Sequence, residues 1–150
     1  GSFRVLTLTS CLCDTGYYEA RQTNCLACSY TCQTCNVTFS QCISCNASNH
    51  RTVLLGNACP CDPGYFNAGS SMCQQCHYSC LTCWGVGLTG CSTCNTTIRT
   101  LSSGQCLCLA GKYDNGVNST CDPCDSRCLT CSAGTPLSCI SCNSTLQRSL

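Results

Sequence analysis

From Cys25 to Asn46 the chain reads CLACSYTCQTCNVTFSQCISCN, and the same cysteine order returns at Cys73–Asn95 and at Cys121–Asn143. Each copy runs Cys-x2-Cys-x3-Cys-x2-Cys, a spacer of six or seven residues, then Cys-x2-Cys-Asn, and the copies start 48 residues apart. A fixed period near fifty marks a repeat array, in which one small unit is used several times over. Cysteine makes up 24 of the 150 residues, the composition of a disulfide scaffold. An oxidising compartment turns that many thiols into covalent links, whereas a reducing one leaves them to metal or to reactivity. The apolar content of 43% overstates the core, because more than a third of it is cysteine. What remains is one Trp, one Met, three Phe and a scatter of Leu, Ile and Val. Units of this size and composition need disulfides or metal to fold at all.

The net charge of +1, with Lys112 the single lysine, offers no basic footprint for nucleic acid or an anionic membrane. No apolar run approaches the roughly 20 residues of a membrane span, so direct membrane insertion is not expected either. The chain reads as a mature or excised piece of an extracellular or cell-surface protein.

Read in order, residues 1–10 form the tail of a preceding repeat, followed by cysteine-rich repeats at 11–58, 59–105 and 106–150. Arg4, Arg51, Arg99 and Arg148 fall at matching places, each shortly after the end of one cysteine cluster or shortly before the opening cysteine of the next repeat. Each repeat opens with Cys-x-Cys (Cys11/Cys13, Cys59/Cys61, Cys106/Cys108) and a glycine-aromatic turn: DTGYYEA, DPGYFNA and, more loosely, LAGKYDN. Glycine takes the positive φ such turns require, and the aromatics suit a short strand returning to Cys25, Cys73 or Cys121. No window shows sustained helical periodicity. The expected fold is small and disulfide-rich: short β-hairpins with little helix, in an elongated rod of three tandem repeats.

Asn46, Asn95 and Asn143 begin N-glycosylation sequons at the same place in all three repeats, directly after the last cysteine of the cluster; Asn36 and Asn118 begin two more. In register and in an extracellular chain, they imply surface positions carrying N-linked glycans.

With the stretch CDPGYFNAGSSMCQQCHYSCLTCWGVGLTGCSTCN (61–95) and its two sister copies in view, the chain resembles the furin-like cysteine-rich repeats. These occur in growth-factor receptor ectodomains, in R-spondins and in cysteine-rich surface proteins of single-celled eukaryotes. The spacing departs from that pattern at each Cys-x-Cys, and Lys112 replaces the first aromatic of the third repeat. Spacing alone leaves 105 pairings open for eight cysteines. The resemblance implies Cys13–Cys25, Cys28–Cys35, Cys32–Cys42 and Cys45–Cys59, then Cys61–Cys73, Cys76–Cys83, Cys80–Cys91 and Cys94–Cys106, then Cys108–Cys121, Cys124–Cys131 and Cys128–Cys139. Under that scheme Cys11 and Cys142 lack partners within the chain. Two leftover thiols in a secreted protein point to pairing outside it. The expected partner is a second copy, head to tail, or the flanking repeats of a longer chain.

Competing readings of the same residues are a zinc site built from Cys-x2-Cys pairs, redox-active Cys-x2-Cys units, and a catalytic site around His50 or His77. The overlapping arrays, the sequons and the absence of a nucleophile or acid/base pair in a singular setting argue against all three, so no cofactor and no enzymatic activity are expected. Tyr17, Tyr18, Tyr65, Phe66 and Tyr113 read as covers for the disulfides, Tyr30 and Tyr78 as either core or surface, and the single tryptophan, Trp84, as a candidate contact residue. The expected function is a structural extracellular protein, glycosylated and disulfide-laddered, building a coat, appendage or filament by head-to-tail continuation. The alternative is a receptor-like ligand-binding ectodomain.

Overall fold

The computed structural model describes residues 3–6 and 10–142. The sequon at Asn143 and Arg148 lie outside the described residues. Among the described residues, secondary structure consists of two-stranded hairpins, an isolated bridge between Leu55 and Ala58, and two single 3₁₀ turns, Ala47–Asn49 and Pro136–Ser138. The chain divides into two compact units, Gly1–Gln74 and Gln75–Leu150.

In the first unit, β1 (Arg4–Leu6) pairs with β2 (Cys11–Cys13), β3 (Tyr17–Tyr18) with β4 (Leu26–Ala27), and β5 (Thr34–Cys35) with β6 (Cys42–Ser44). The strand β7 (Tyr65–Phe66) pairs with β8 (Gln74–Gln75). In the second unit, β9 (Thr82–Cys83) pairs with β10 (Cys91–Thr93), β11 (Arg99–Ser102) with β12 (Gln105–Cys108), β13 (Lys112–Asp114) with β14 (Cys121–Pro123), and β15 (Cys128–Cys131) with β16 (Cys139–Cys142). The turn glycines before the aromatic strands do take the left-handed region: φ is +87° at Gly16, +82° at Gly64 and +80° at Gly111. Any Cβ is strained there, so the motif tolerates variation in the aromatics but not in the glycine.

Two-stranded ribbons this short are marginal in water. Eleven disulfides hold them, joining the cysteine pairs that the family resemblance implies. Within each cluster two bridges interlock, as Cys28–Cys35 with Cys32–Cys42. A hydroxyl pair closes each cluster hairpin across its strands: Thr34 with Ser44 at 2.5 Å, Thr82 with Thr93 at 2.6 Å, and Thr130 with Ser141 at 2.6 Å. Among the described residues every buried apolar side chain is a cysteine. The aromatics of the turn motif are only half-buried. The core is sulfur, and its two largest buried side chains are arginines.

Candidate functional site: arginine-centred junctions and two unpaired cysteines

Among the described residues, an arginine is folded inward where each of the first two cysteine clusters passes into the next hairpin. Arg51 and Arg99 are each 1% exposed. A buried guanidinium is tolerated only when its donors are met. Arg51 donates from Nε to the Ser71 carbonyl (3.0 Å), from one terminal nitrogen to the Cys59 carbonyl (2.8 Å), and from the other to Asn67 Oδ1 (3.2 Å) and the Ser70 carbonyl (3.3 Å). Arg99 repeats the pattern, donating to the carbonyls of Ser119 (3.1 Å), Cys106 (2.9 Å), Asn118 (3.4 Å) and Thr120 (3.5 Å) and to the Asp114 carboxylate (2.6 Å). Arg4 does the same with Thr23, Cys11 and Gln22 carbonyls and with Glu19. Glu19, Asn67 and Asp114 occupy one place in the repeat, directly after the aromatic strand positions. Each arginine therefore clamps a whole loop of carbonyls around one planar fork, a geometry that lysine cannot reproduce.

A tyrosine from the preceding cluster covers two of these cages. Tyr30 lies over the Arg51 guanidinium at 6.0 Å and Tyr78 over Arg99 at 5.9 Å, within cation–π range. The tyrosine hydroxyls also reach the cage: Asn67 Nδ2 donates to Tyr30 (3.3 Å), and Tyr78 donates to Asp114 Oδ1 (3.0 Å). Tyr30 and Tyr78 are therefore junction residues. Their role is invisible locally, because each arginine lies 21 positions further along.

Burial would raise the Asp114 pKa, but hydrogen bonds from Arg99, the Gly116 amide and Tyr78, with the Arg99 charge, hold it below the ordinary carboxylate range. Burial and the bond to Asp114 push the Tyr78 phenol up. A carboxylate whose folded pKa is depressed contributes stability above its unfolded pKa and loses it as pH falls through the folded value. The second unit should therefore lose stability in strong acid, below the normal aspartate range near 4. Asp114→Asn should flatten that loss in thermal melts across pH; an unchanged acid slope would contradict the assignment.

The stacked pairs Phe3–Tyr17 (4.1 Å) and His50–Tyr65 (3.8 Å) explain a departure noted above. The residue before the arginine stacks on the first aromatic of the turn motif. In the third repeat both positions change together, to Ile98 and Lys112. His50 is thus a stacking residue. His77 holds a turn: its Nδ1 lies 2.8 Å from Ser79 Oγ and accepts from the Ser79 amide, as Ser29 does from Thr31 and Asp125 from Arg127. One local device is filled by Ser, His and Asp in turn, so this His–Ser proximity belongs to the fold. Among the described residues, one group has metal-ligand spacing: Cys13, Glu19 and Cys25. Cys13 and Cys25 are bonded to each other, which removes both thiolates. Trp84 is 71% exposed in a loop whose ends meet through the Trp84 amide and the Gly90 carbonyl (3.0 Å).

No family model matches the chain, and no curated protein or solved structure does either.

The four described sequon asparagines lie in tight local turns. Asn36, Asn95 and Asn118 are exposed and Asn46 is half-buried. Asn46 Oδ1 caps the Ala47–Asn49 turn through the Ser48 amide (3.0 Å). Asn95 and Asn118 accept from the amide and hydroxyl of Thr97 and Thr120. These bonds use the carboxamide oxygen and leave the nitrogen, the atom that carries a glycan, outside them.

Two cysteines stand apart. Cys11 is exposed, Cys142 is half-buried, and both are unpaired. Cys59 and Cys106, which hold the Cys11 position in later repeats, are 2% exposed and bonded to Cys45 and Cys94.

Proposed function

We propose that this chain is a structural extracellular protein of the furin-like repeat type, glycosylated and disulfide-laddered, that assembles head to tail into a coat, appendage or filament. The observation that carries this reading is the pair of unpaired cysteines at equivalent ends of one bridging rule. The other cluster-final cysteines, Cys45 and Cys94, bond the opening cysteine of the next repeat, and in this reading Cys142 and Cys11 follow the same rule with a second copy, or with the flanking repeats of a longer chain. A head-to-tail contact of this kind does not close on itself and so propagates. Disulfide content of this order suits a secreted or extracellular protein, and among the described residues no helix is long and apolar enough to cross a membrane.

The link forms by thiol–disulfide exchange. The two thiols give up two protons and two electrons to the disulfide of an exchange catalyst in the secretory compartment, which leaves as a dithiol. Glycans at Asn36, Asn46, Asn95, Asn118 and Asn143 keep the flanks hydrated. Non-reducing electrophoresis of native material should show a ladder of multimers that collapses on reduction, and Cys142→Ser should end it. Each species should also lose mass on glycosidase treatment. A monomer with a Cys11–Cys142 bridge inside one chain, or native material with all five asparagines bare, would contradict the proposal.

A further inference from the structure

The third repeat departs from its sisters at two places in the turn motif. Asp14 and Asp62 give way to Leu109, and Tyr17 and Tyr65 give way to Lys112. In the second repeat both places are satisfied locally: the Asp62 carboxylate accepts from the amide (2.8 Å) and hydroxyl (2.6 Å) of Thr52, and Tyr65 is stacked on His50. The exchange therefore removes an anion and a stacked ring and sets an apolar side chain and a cation in their places. Both new residues line one cleft of about 560 Å³ in the second unit, with Tyr78, Leu88, Leu107 and Asp114 among its other walls.

The walls are fixed in advance. Leu88 sits in a loop anchored to the β11–β12 turn, where the Cys91 amide donates to the Gly104 carbonyl (2.9 Å) and a Cβ on Gly104 would overlap the Thr89 carbonyl. Leu107 and Leu109 flank Cys108, which is bonded to Cys121. Leu88, Leu107 and Leu109 are nevertheless 46%, 46% and 36% exposed, so apolar surface stays open to solvent in a concavity of small-molecule size. The free charge of the walls has one sign. Asp114 is committed to Arg99 (2.6 Å), to the Tyr78 hydroxyl (3.0 Å) and to the Gly116 amide (3.0 Å), and Arg99 is buried. Lys112 is exposed and has no ion-pair partner among the described residues.

We propose that this cleft binds a small amphiphilic anion, one carboxylate or sulfonate on an apolar body, with Lys112 meeting the anionic group and the three leucines covering the body. A cationic ligand would meet an unpaired ammonium and a carboxylate already engaged, and a wholly polar one would leave the leucines uncovered. Neither Cys11 nor Cys142 lines the cleft, so binding is independent of head-to-tail assembly.

Two fluorescent probes with the same apolar body separate charge from shape: anilinonaphthalene sulfonate, and phenylnaphthylamine, which lacks the sulfonate. Titrated with the oxidised full-length chain, the sulfonate probe should saturate at a single site. Lys112→Gln should weaken it about fivefold, the upper end for one exposed ion pair, and leave the neutral probe unchanged. Leu109→Asp should weaken both probes about tenfold or more, since it removes a leucine wall and adds a negative charge. That variant keeps its fold, because Thr100 stands where Thr52 serves Asp62. No saturable binding of the sulfonate probe, saturable binding that both substitutions leave unchanged, or equal loss of both probes on Lys112→Gln would overturn the site.

Discussion

Full reduction should unfold this chain completely, while metal chelators leave it unchanged. Every buried apolar side chain among the described residues is a cysteine, so breaking the bridges removes the core itself and not only its staples. The bridges span 7 to 14 residues, and short loops of that order contribute roughly 2–3 kcal/mol each on a chain-entropy account. Eleven of them exceed the ~5–15 kcal/mol net stability of a typical domain. The hairpins that remain are too short to persist alone. Amide hydrogen exchange should pass from strong protection in the cluster strands to none on reduction. Protection that survives a reductant but disappears with a chelator would show that metal holds the fold.

Arg99→Ala should be the most damaging change outside the cysteines. It removes the cationic partner of the Asp114 carboxylate and the donor shared by the carbonyls of Cys106, Ser119, Asn118 and Thr120, from a side chain that is 1% exposed. Asp114 is about a third exposed and keeps its bonds from the Gly116 amide and Tyr78, so the cost comes mainly from the lost charge-assisted hydrogen bonds of the buried guanidinium, about 1.5–3 kcal/mol. Arg99→Lys should recover only part of this, since an ammonium cannot address carbonyls and carboxylate in one plane. The disulfides keep the chain connected, so the loss should appear as local opening: faster exchange between residues 106 and 122 and poorer oxidative folding. An alanine variant with native exchange there would show that the guanidinium is a passenger.

These two expectations mark how far the residues alone could be read. The turn glycines and short hairpins follow from local chemistry, because Gly16, Gly64 and Gly111 need only their own φ to be recognised. The bridging order came from resemblance, since spacing leaves many pairings open. The arginine junctions stayed hidden for a physical reason. Arginine is by type a surface residue, and its burial depends on carbonyls about 20 residues away. The signal was present in the alignment of Arg4, Arg51 and Arg99 with Glu19, Asn67 and Asp114, at separations of 15 or 16 residues. It carried no meaning until the loops were folded around the arginines. The change of Ile98 together with Lys112 was likewise unreadable until Phe3–Tyr17 and His50–Tyr65 were seen stacked.

Assembly through Cys142 and Cys11 is the claim on which the function rests, and co-secretion tests it directly. Two forms of the chain, bearing different epitope tags, are made in one secreting cell and captured through one tag without reductant. The other form should be captured too and be released by reductant, and unreduced digestion should yield a peptide pair joined through Cys142 and Cys11. Capture of one form alone, with both cysteines free or bonded within a single chain, would contradict head-to-tail assembly.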